Sequence, residues 1–180
     1  MTRHNLSWGV MNMRRLYAGF WTALVLAAVM PFSAAASDEV FGMTTKFLGP
    51  EFAADIYNGG AKGNQAHMTR WANTTGQRWH MEADGQYVRL KNDFGDSSLC
   101  LDVINGGARN NFVRLAPCGN YSGQKWLYEP VPRTSYYRLT TAFRGKDMCL
   151  DVVNGGADDN DLKLAKCGNY TGQMWLLESR

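Results

Sequence analysis

Several of the residues that most chemistry needs are scarce in this sequence. Its 180 residues hold three histidines, and beyond the N-terminal leader described below only His67 and His80 remain, with no cysteine or histidine at ligand spacing. No Cys-x-x-Cys pair occurs, which argues against a four-cysteine zinc site. A Ser-His-Asp arrangement finds no support, and the glycine pairs sit in turns rather than in a phosphate-cradling loop. Beyond the leader no stretch holds a 3.6-residue apolar stripe for more than a turn or two, so the body is not expected to be helical. An excess of charge is missing as well. The formal net charge of +3 belongs to the leader's Arg3, Arg14 and Arg15, and the remaining basic and acidic residues balance. A neutral body with interspersed charges gives no electrostatic case for nucleic acid or an anionic membrane.

The leader itself has a recognisable grammar. Arg14-Arg15 precedes a mostly apolar run from Leu16 to Phe32, and Ala34-Ala35-Ala36 puts small residues where a cleavage site needs them. Residues 1–36 are therefore expected to be a secretory signal peptide, and the apolar run is shorter than the ~20 residues of a spanning helix. Residues 37–180 fit one compact domain, expected to be secreted, periplasmic or held at the cell surface.

What the body does contain, it contains three times. Asp55-Ile56-Tyr57-Asn58-Gly59-Gly60, Asp102-Val103-Ile104-Asn105-Gly106-Gly107 and Asp151-Val152-Val153-Asn154-Gly155-Gly156 are copies of one hexapeptide. Each is followed, 22 residues after its Asp, by Gln77-Arg78-Trp79, Gln124-Lys125-Trp126 or Gln173-Met174-Trp175. The Asp-to-Asp offsets of 47 and 49 divide the domain into repeats of about 43–89, 90–138 and 139–180. A period of that size marks repeated supersecondary units sharing one core. Apolar columns recur in step: Met43, Leu90 and Leu139, then Phe47, Phe94 and Phe143, then Phe52, Leu99 and Met148. Met68, Leu115 and Leu164 follow, then the three Trp, then Met81, Tyr128 and Leu177. Short segments between Asn-Gly-Gly turns predict an all-β closed architecture.

The four cysteines obey the same period. Cys100 to Cys118 and Cys149 to Cys167 both span 18 residues; of three possible pairings, the repeat symmetry selects these two. In an exported chain they should be disulfides. The first copy has Ala53 and Trp71 instead, a small and a large side chain for the space bridged elsewhere, and should be the less constrained third.

Cys-Leu-Asp-Val, a second Cys and Gln-x-Trp, in register and recurring, resemble the ricin-B-type lectin module over about residues 42–180. The resemblance implies a β-trefoil of three pseudo-symmetric repeats with about twelve strands; a three-bladed propeller would have too few blades. It also implies that Asp55, Asp102 and Asp151 accept hydrogen bonds from sugar hydroxyls in shallow pockets. A carboxylate suits that task because charge-assisted bonds are about twice as strong as neutral ones. The competing role for each Asp is to brace its own turn. The three Trp are expected in the core, while Gln77, Gln124 and Gln173 stitch a turn near the pocket and are candidates for secondary ligand contact.

Two departures from the family pattern are plain. The aromatic platform expected two residues before the second Cys is Ala116, Ala165 and, in the first copy, Thr69. The Asn expected before the Gln is Gly76, Gly123 and Gly172. In the same region Asn120-Tyr121-Ser122 and Asn169-Tyr170-Thr171 recur, with Asn73-Thr74-Thr75 in the first copy. Tyr121 and Tyr170 could supply a substitute stacking face, with Asn120 and Asn169 as polar partners; a well-formed turn is the competing account. The tripeptides also match the N-glycosylation pattern. The expected sugar-contacting set adds Asn105 and Asn154. Glu82, Glu129 and Glu178 recur too, but sugar hydrolysis needs two carboxylates facing one bond, and nothing marks such a pair. The expectation is a non-catalytic carbohydrate-binding protein without cofactor or metal, whose partners are glycans or glycoconjugates. The alternative is a trefoil without sugar binding that serves as a protein-interaction or effector-partner subunit.

Overall fold

The computed structural model describes residues 39–95 and 98–179; the expected signal peptide lies outside them. Among the described residues no helix is long and apolar enough to cross a membrane.

Among the described residues twelve strands follow one another, four to a repeat. The first repeat supplies β1 (Phe41–Thr45), β2 (Phe52–Ile56), β3 (Ala66–Arg70) and β4 (Trp79–Asp84). The second supplies β5 (Tyr87–Asn92), β6 (Leu99–Val103), β7 (Val113–Pro117) and β8 (Trp126–Pro130). The third supplies β9 (Tyr137–Thr141), β10 (Gly145–Val152), β11 (Leu162–Lys166) and β12 (Trp175–Ser179). The outer strands of each repeat close a six-stranded barrel through the antiparallel pairs β1–β4, β4–β5, β5–β8, β8–β9, β9–β12 and β12–β1. The inner strands form three hairpins, β2–β3, β6–β7 and β10–β11. This is a β-trefoil, as the resemblance implied.

The hairpins are tied in a ring. Met68 N–H donates to the Asn160 carbonyl at 2.7 Å, Leu115 N–H to that of Asn64 at 2.8 Å and Leu164 N–H to that of Asn111 at 2.7 Å. All three Asn have positive φ, 65°, 70° and 66°, a conformation that Asn tolerates better than most residues.

The core follows the sequence columns. Met43, Leu90, Leu139, Met68, Leu115, Leu164 and the three Trp are all buried. Each indole N–H reaches a hairpin carbonyl: Trp79 to Ala54 at 3.0 Å, Trp126 to Leu101 at 2.9 Å and Trp175 to Leu150 at 2.8 Å. The Trp thus fills the interior and satisfies its one polar atom. Both disulfides form as the repeat symmetry selected, Cys100–Cys118 and Cys149–Cys167, each with Cα atoms 5.0 Å apart. The last apolar column diverges, since Tyr128 is exposed and meets Tyr137 edge-on at 5.6 Å.

At the hairpin loops the copies differ and the differences meet. Lys62, Arg109 and Asp158 are equivalent positions, as are Gln65, Phe112 and Asp161. The fully buried Asp161 carboxylate receives Lys62 Nζ at 2.8 Å, Arg109 at 2.6 Å and the Tyr57 hydroxyl at 2.9 Å. Arg109 also donates to Gln65 Oε1 at 2.7 Å and lies over the Phe112 ring.

Candidate functional site

Each Asp of the hexapeptide stands on the second strand of its repeat, where the carboxylate is bonded at both oxygens. Oδ1 accepts the N–H of the following residue, Ile56 at 2.7 Å, Val103 at 2.7 Å and Val152 at 2.9 Å. Oδ2 of Asp102 accepts from Gln124 Nε2 at 3.1 Å, and that of Asp151 from Gln173 Nε2 at 2.9 Å. The two Gln are fully buried. Gln124 Oε1 accepts from Gly119 N–H and its Nε2 donates to the Pro117 carbonyl; Gln173 does the same with Gly168 and Lys166. With a donor on one side and an acceptor on the other, each amide has one orientation. These Gln fasten the carboxylates from beneath rather than facing solvent.

The glycine before each Gln is required by this arrangement. A β-carbon on Gly76, Gly123 or Gly172 would lie 1.9, 2.3 or 2.5 Å from Oδ1 of Asp55, Asp102 or Asp151. No side chain fits there while the carboxylate keeps its place.

Open pockets of about 210 Å³ form over Asp102 and over Asp151. Asp102, Asn105, Tyr121 and Gly123 line the first, and Asp151, Asn154, Tyr170 and Gly172 line the second. The structure therefore brings together the Asp, Asn and Tyr picked out in the sequence, twice over. Tyr121 and Tyr170 are about three-fifths exposed, an arrangement that leaves a ring face for a partner. Asn120 and Asn169 sit on exposed bends beside the tyrosines and are not lining residues.

Sequence reasoning missed one wall of each pocket. Phe143 lines the Asp102 pocket and Phe47 the Asp151 pocket. Both come from the next repeat around the barrel, since Phe47 of the first copy serves the third. Their recurrence at a fixed offset was the available signal, but an apolar column reads as core. Phe143 is indeed half-buried, with Arg144 stacked 4.1 Å from its ring centroid, whereas Phe47 is 39% exposed.

No Lys or Arg lines either pocket. Burial pushes the Asp151 carboxyl above its ordinary value, while the Gln173 and Val152 bonds and nearby Lys163 pull the other way. Among the described residues no cluster of His, Cys, Asp or Glu could hold a metal ion. Each pocket combines a carboxylate, an Asn amide and a Ser122 or Thr171 hydroxyl with two aromatic residues, a surface suited to a small neutral molecule with hydroxyls and an apolar face.

The first copy is arranged differently. Thr74 stands where Tyr121 and Tyr170 do, and its hydroxyl donates to Asp55 Oδ2 at 3.2 Å. Gln77 is as buried as its counterparts and bonds Ala72 N–H and the Arg70 carbonyl.

Residues 49–175 match the family model described as ricin-type beta-trefoil lectin domain. A search of curated proteins by sequence found no match. Among solved structures, the fold is similar to the designed threefold-symmetric protein ThreeFoil, at 19% identity and TM-score 0.65, over 78% of this chain and 99% of that one. It is also similar to a ricin B-like lectin from Macrolepiota procera solved with lactose, at 14% identity and TM-score 0.60, over 79% and 96% of the chains. A mosquitocidal holotoxin matches at 15% identity and TM-score 0.67, over 78% of this chain but 17% of its own length.

Proposed function

The chain belongs to the ricin-type beta-trefoil lectin family, and from that premise we propose that it is an exported, non-catalytic protein that binds neutral glycans in the Asp102 and Asp151 pockets. The observation that carries this reading is the repeated constellation of carboxylate, Asn amide, exposed Tyr and cross-repeat Phe. Asp102 or Asp151 accepts sugar hydroxyls on its remaining lone pairs, Asn105 or Asn154 supplies a donor and an acceptor, and the tyrosine offers its face to the sugar's C–H side. Tyr121 and Tyr170 thereby replace the platform lost at Ala116 and Ala165. The absence of a basic lining residue disfavours sulfated or acidic sugars, which would meet the carboxylate with like charge. Two weak sites on one rigid body gain strength on a dense glycan surface, where the second contact is intramolecular.

Residues 1–36 serve as the leader in this reading, and the disulfides suit the oxidising compartment beyond it. N-terminal sequencing of the protein from its native host is expected to begin at Ser37.

A glycan-array screen of the disulfide-intact protein tests the function. Selective retention on one class of neutral glycan, lost in the Asp102→Ala/Asp151→Ala double variant, is the expected result. A blank array from a folded sample would overturn it and move the assignment to the protein-interaction subunit.

A further inference from the structure

The tyrosine walls depend on glycines two residues earlier. A β-carbon on Gly119 would lie 2.4 Å from Cε2 of Tyr121, and one on Gly168 would lie 2.4 Å from Cε2 of Tyr170. Each ring therefore rests against its glycine at a distance no alanine could share. In the first copy both members of the pair have changed together, to Ala72 and Thr74. The shorter Thr74 side chain turns onto Asp55, and its hydroxyl bonds the Oδ2 atom that Gln124 and Gln173 occupy at the other two carboxylates. Opposite Asp55 in the hairpin stands His67, stacked 3.7 Å from Tyr57, where Arg114 and Lys163 stand opposite Asp102 and Asp151.

We infer that the first copy is a closed site, so that the molecule presents two sugar pockets, and that Gly119 and Gly168 are positioning residues whose lack of a β-carbon lets a copy bind. The valency rests on the carbohydrate reading of those pockets; the seating of the rings does not. Thr74 in the first copy offers no tyrosine ring, and its exposed hydroxyl covers Asp55 Oδ2 from the side where Tyr121 and Tyr170 stand elsewhere, whereas the buried Gln124 and Gln173 reach that atom from beneath. The Gly-to-Ala change alone would force the tyrosine off its seat, so a functional first site needs both positions restored.

Amide-resolved NMR of the disulfide-intact protein separates these statements. Titration with the methyl glycosides of glucose, galactose, mannose and N-acetylglucosamine is expected to perturb amides around Asp102, Tyr121 and Phe143 and around Asp151, Tyr170 and Phe47. Amides of Asp55, Thr74 and Phe94 should stay still over the same concentrations. In Gly119→Ala the Asp102 pocket should weaken roughly two- to tenfold, the worth of an aromatic contact, with the Asp151 pocket unchanged. In A72G/T74Y a third set of perturbations should appear around Asp55. Without any sugar, the α-protons of Gly119 and Gly168 should carry tyrosine ring-current shifts. Perturbation of the first copy at the concentrations that shift the others overturns the valency of two. Absent ring-current shifts overturn the positioning role while leaving the carbohydrate reading intact. If no glycoside perturbs any copy, the carbohydrate reading falls and the valency with it.

Discussion

Asp102 and Asp151 each have two duties, bracing and lining, which the sequence presents as alternatives. Oδ1 holds the next residue's N–H and Oδ2 holds a buried Gln, so truncation costs stability as well as a pocket wall. Asp102→Ala strips the acceptor from Val103 N–H and one acceptor from Gln124, and a lowering of about 1–3 kcal/mol is expected, read from urea unfolding. An unchanged midpoint would show that water replaces both bonds. At Asp151 the raised carboxyl gives a second handle. A carboxyl that protonates more readily folded than unfolded adds relative stability below the ordinary aspartate range, and loses it as pH rises through the raised value. The melting-temperature difference between the native protein and Asp151→Asn should therefore shift in favour of the native protein as pH falls from neutral toward that range. A difference that stays flat or moves the other way contradicts the burial effect. The Asp, Asn and Tyr were legible because they recur at fixed offsets. The role of Gln124 and Gln173 beneath the carboxylate was not, because spacing does not tell which way a side chain faces.

At the level of elements, each disulfide joins the second strand of its repeat to the residue just past the third, and that residue begins the segment bearing the tyrosine. Cys118 is followed by Gly119 and Tyr121, and Cys167 by Gly168 and Tyr170. Closing such a loop contributes roughly 3 kcal/mol in the chain-entropy model. Reduction should loosen the hairpins β6–β7 and β10–β11 and their tyrosine segments while leaving β2–β3, which has no disulfide, little changed. Hydrogen exchange before and after reduction checks this; equal acceleration in all three hairpins would show that the bridges stabilise only the whole domain. The hairpins were readable from the Cys and Gly-Gly periods. Phe47 and Phe143 were not, because their partners lie in the preceding repeat around the barrel and the contact exists only once the barrel closes.

Over the whole molecule, threefold likeness builds the barrel and threefold difference closes the hairpin ring. Columns of identical residues mark the core, so Trp79, Trp126 and Trp175 announced themselves. A search for sameness passes over Lys62, Arg109 and Asp158, or Gln65, Phe112 and Asp161, because their value lies in being unlike. Two cations from two copies converge on carboxylates from the third, and three identical residues there would repel or leave gaps. The buried Asp161 carries most of this arrangement. Replacing it with Asn leaves Lys62 and Arg109 facing each other with Asp158 alone, which is about one-third exposed. Removing one partner of a buried ion pair costs about 3–5 kcal/mol; here the lower end applies, because both cations keep partial contact with water. Asp158→Asn, which removes a carboxylate at the solvent edge of the cluster, should cost clearly less than Asp161→Asn. Urea unfolding of the two variants compares them directly. Equal losses would mean that the ring is held by its backbone bonds at Asn64, Asn111 and Asn160, with the charges contributing only to the order in which the three copies meet.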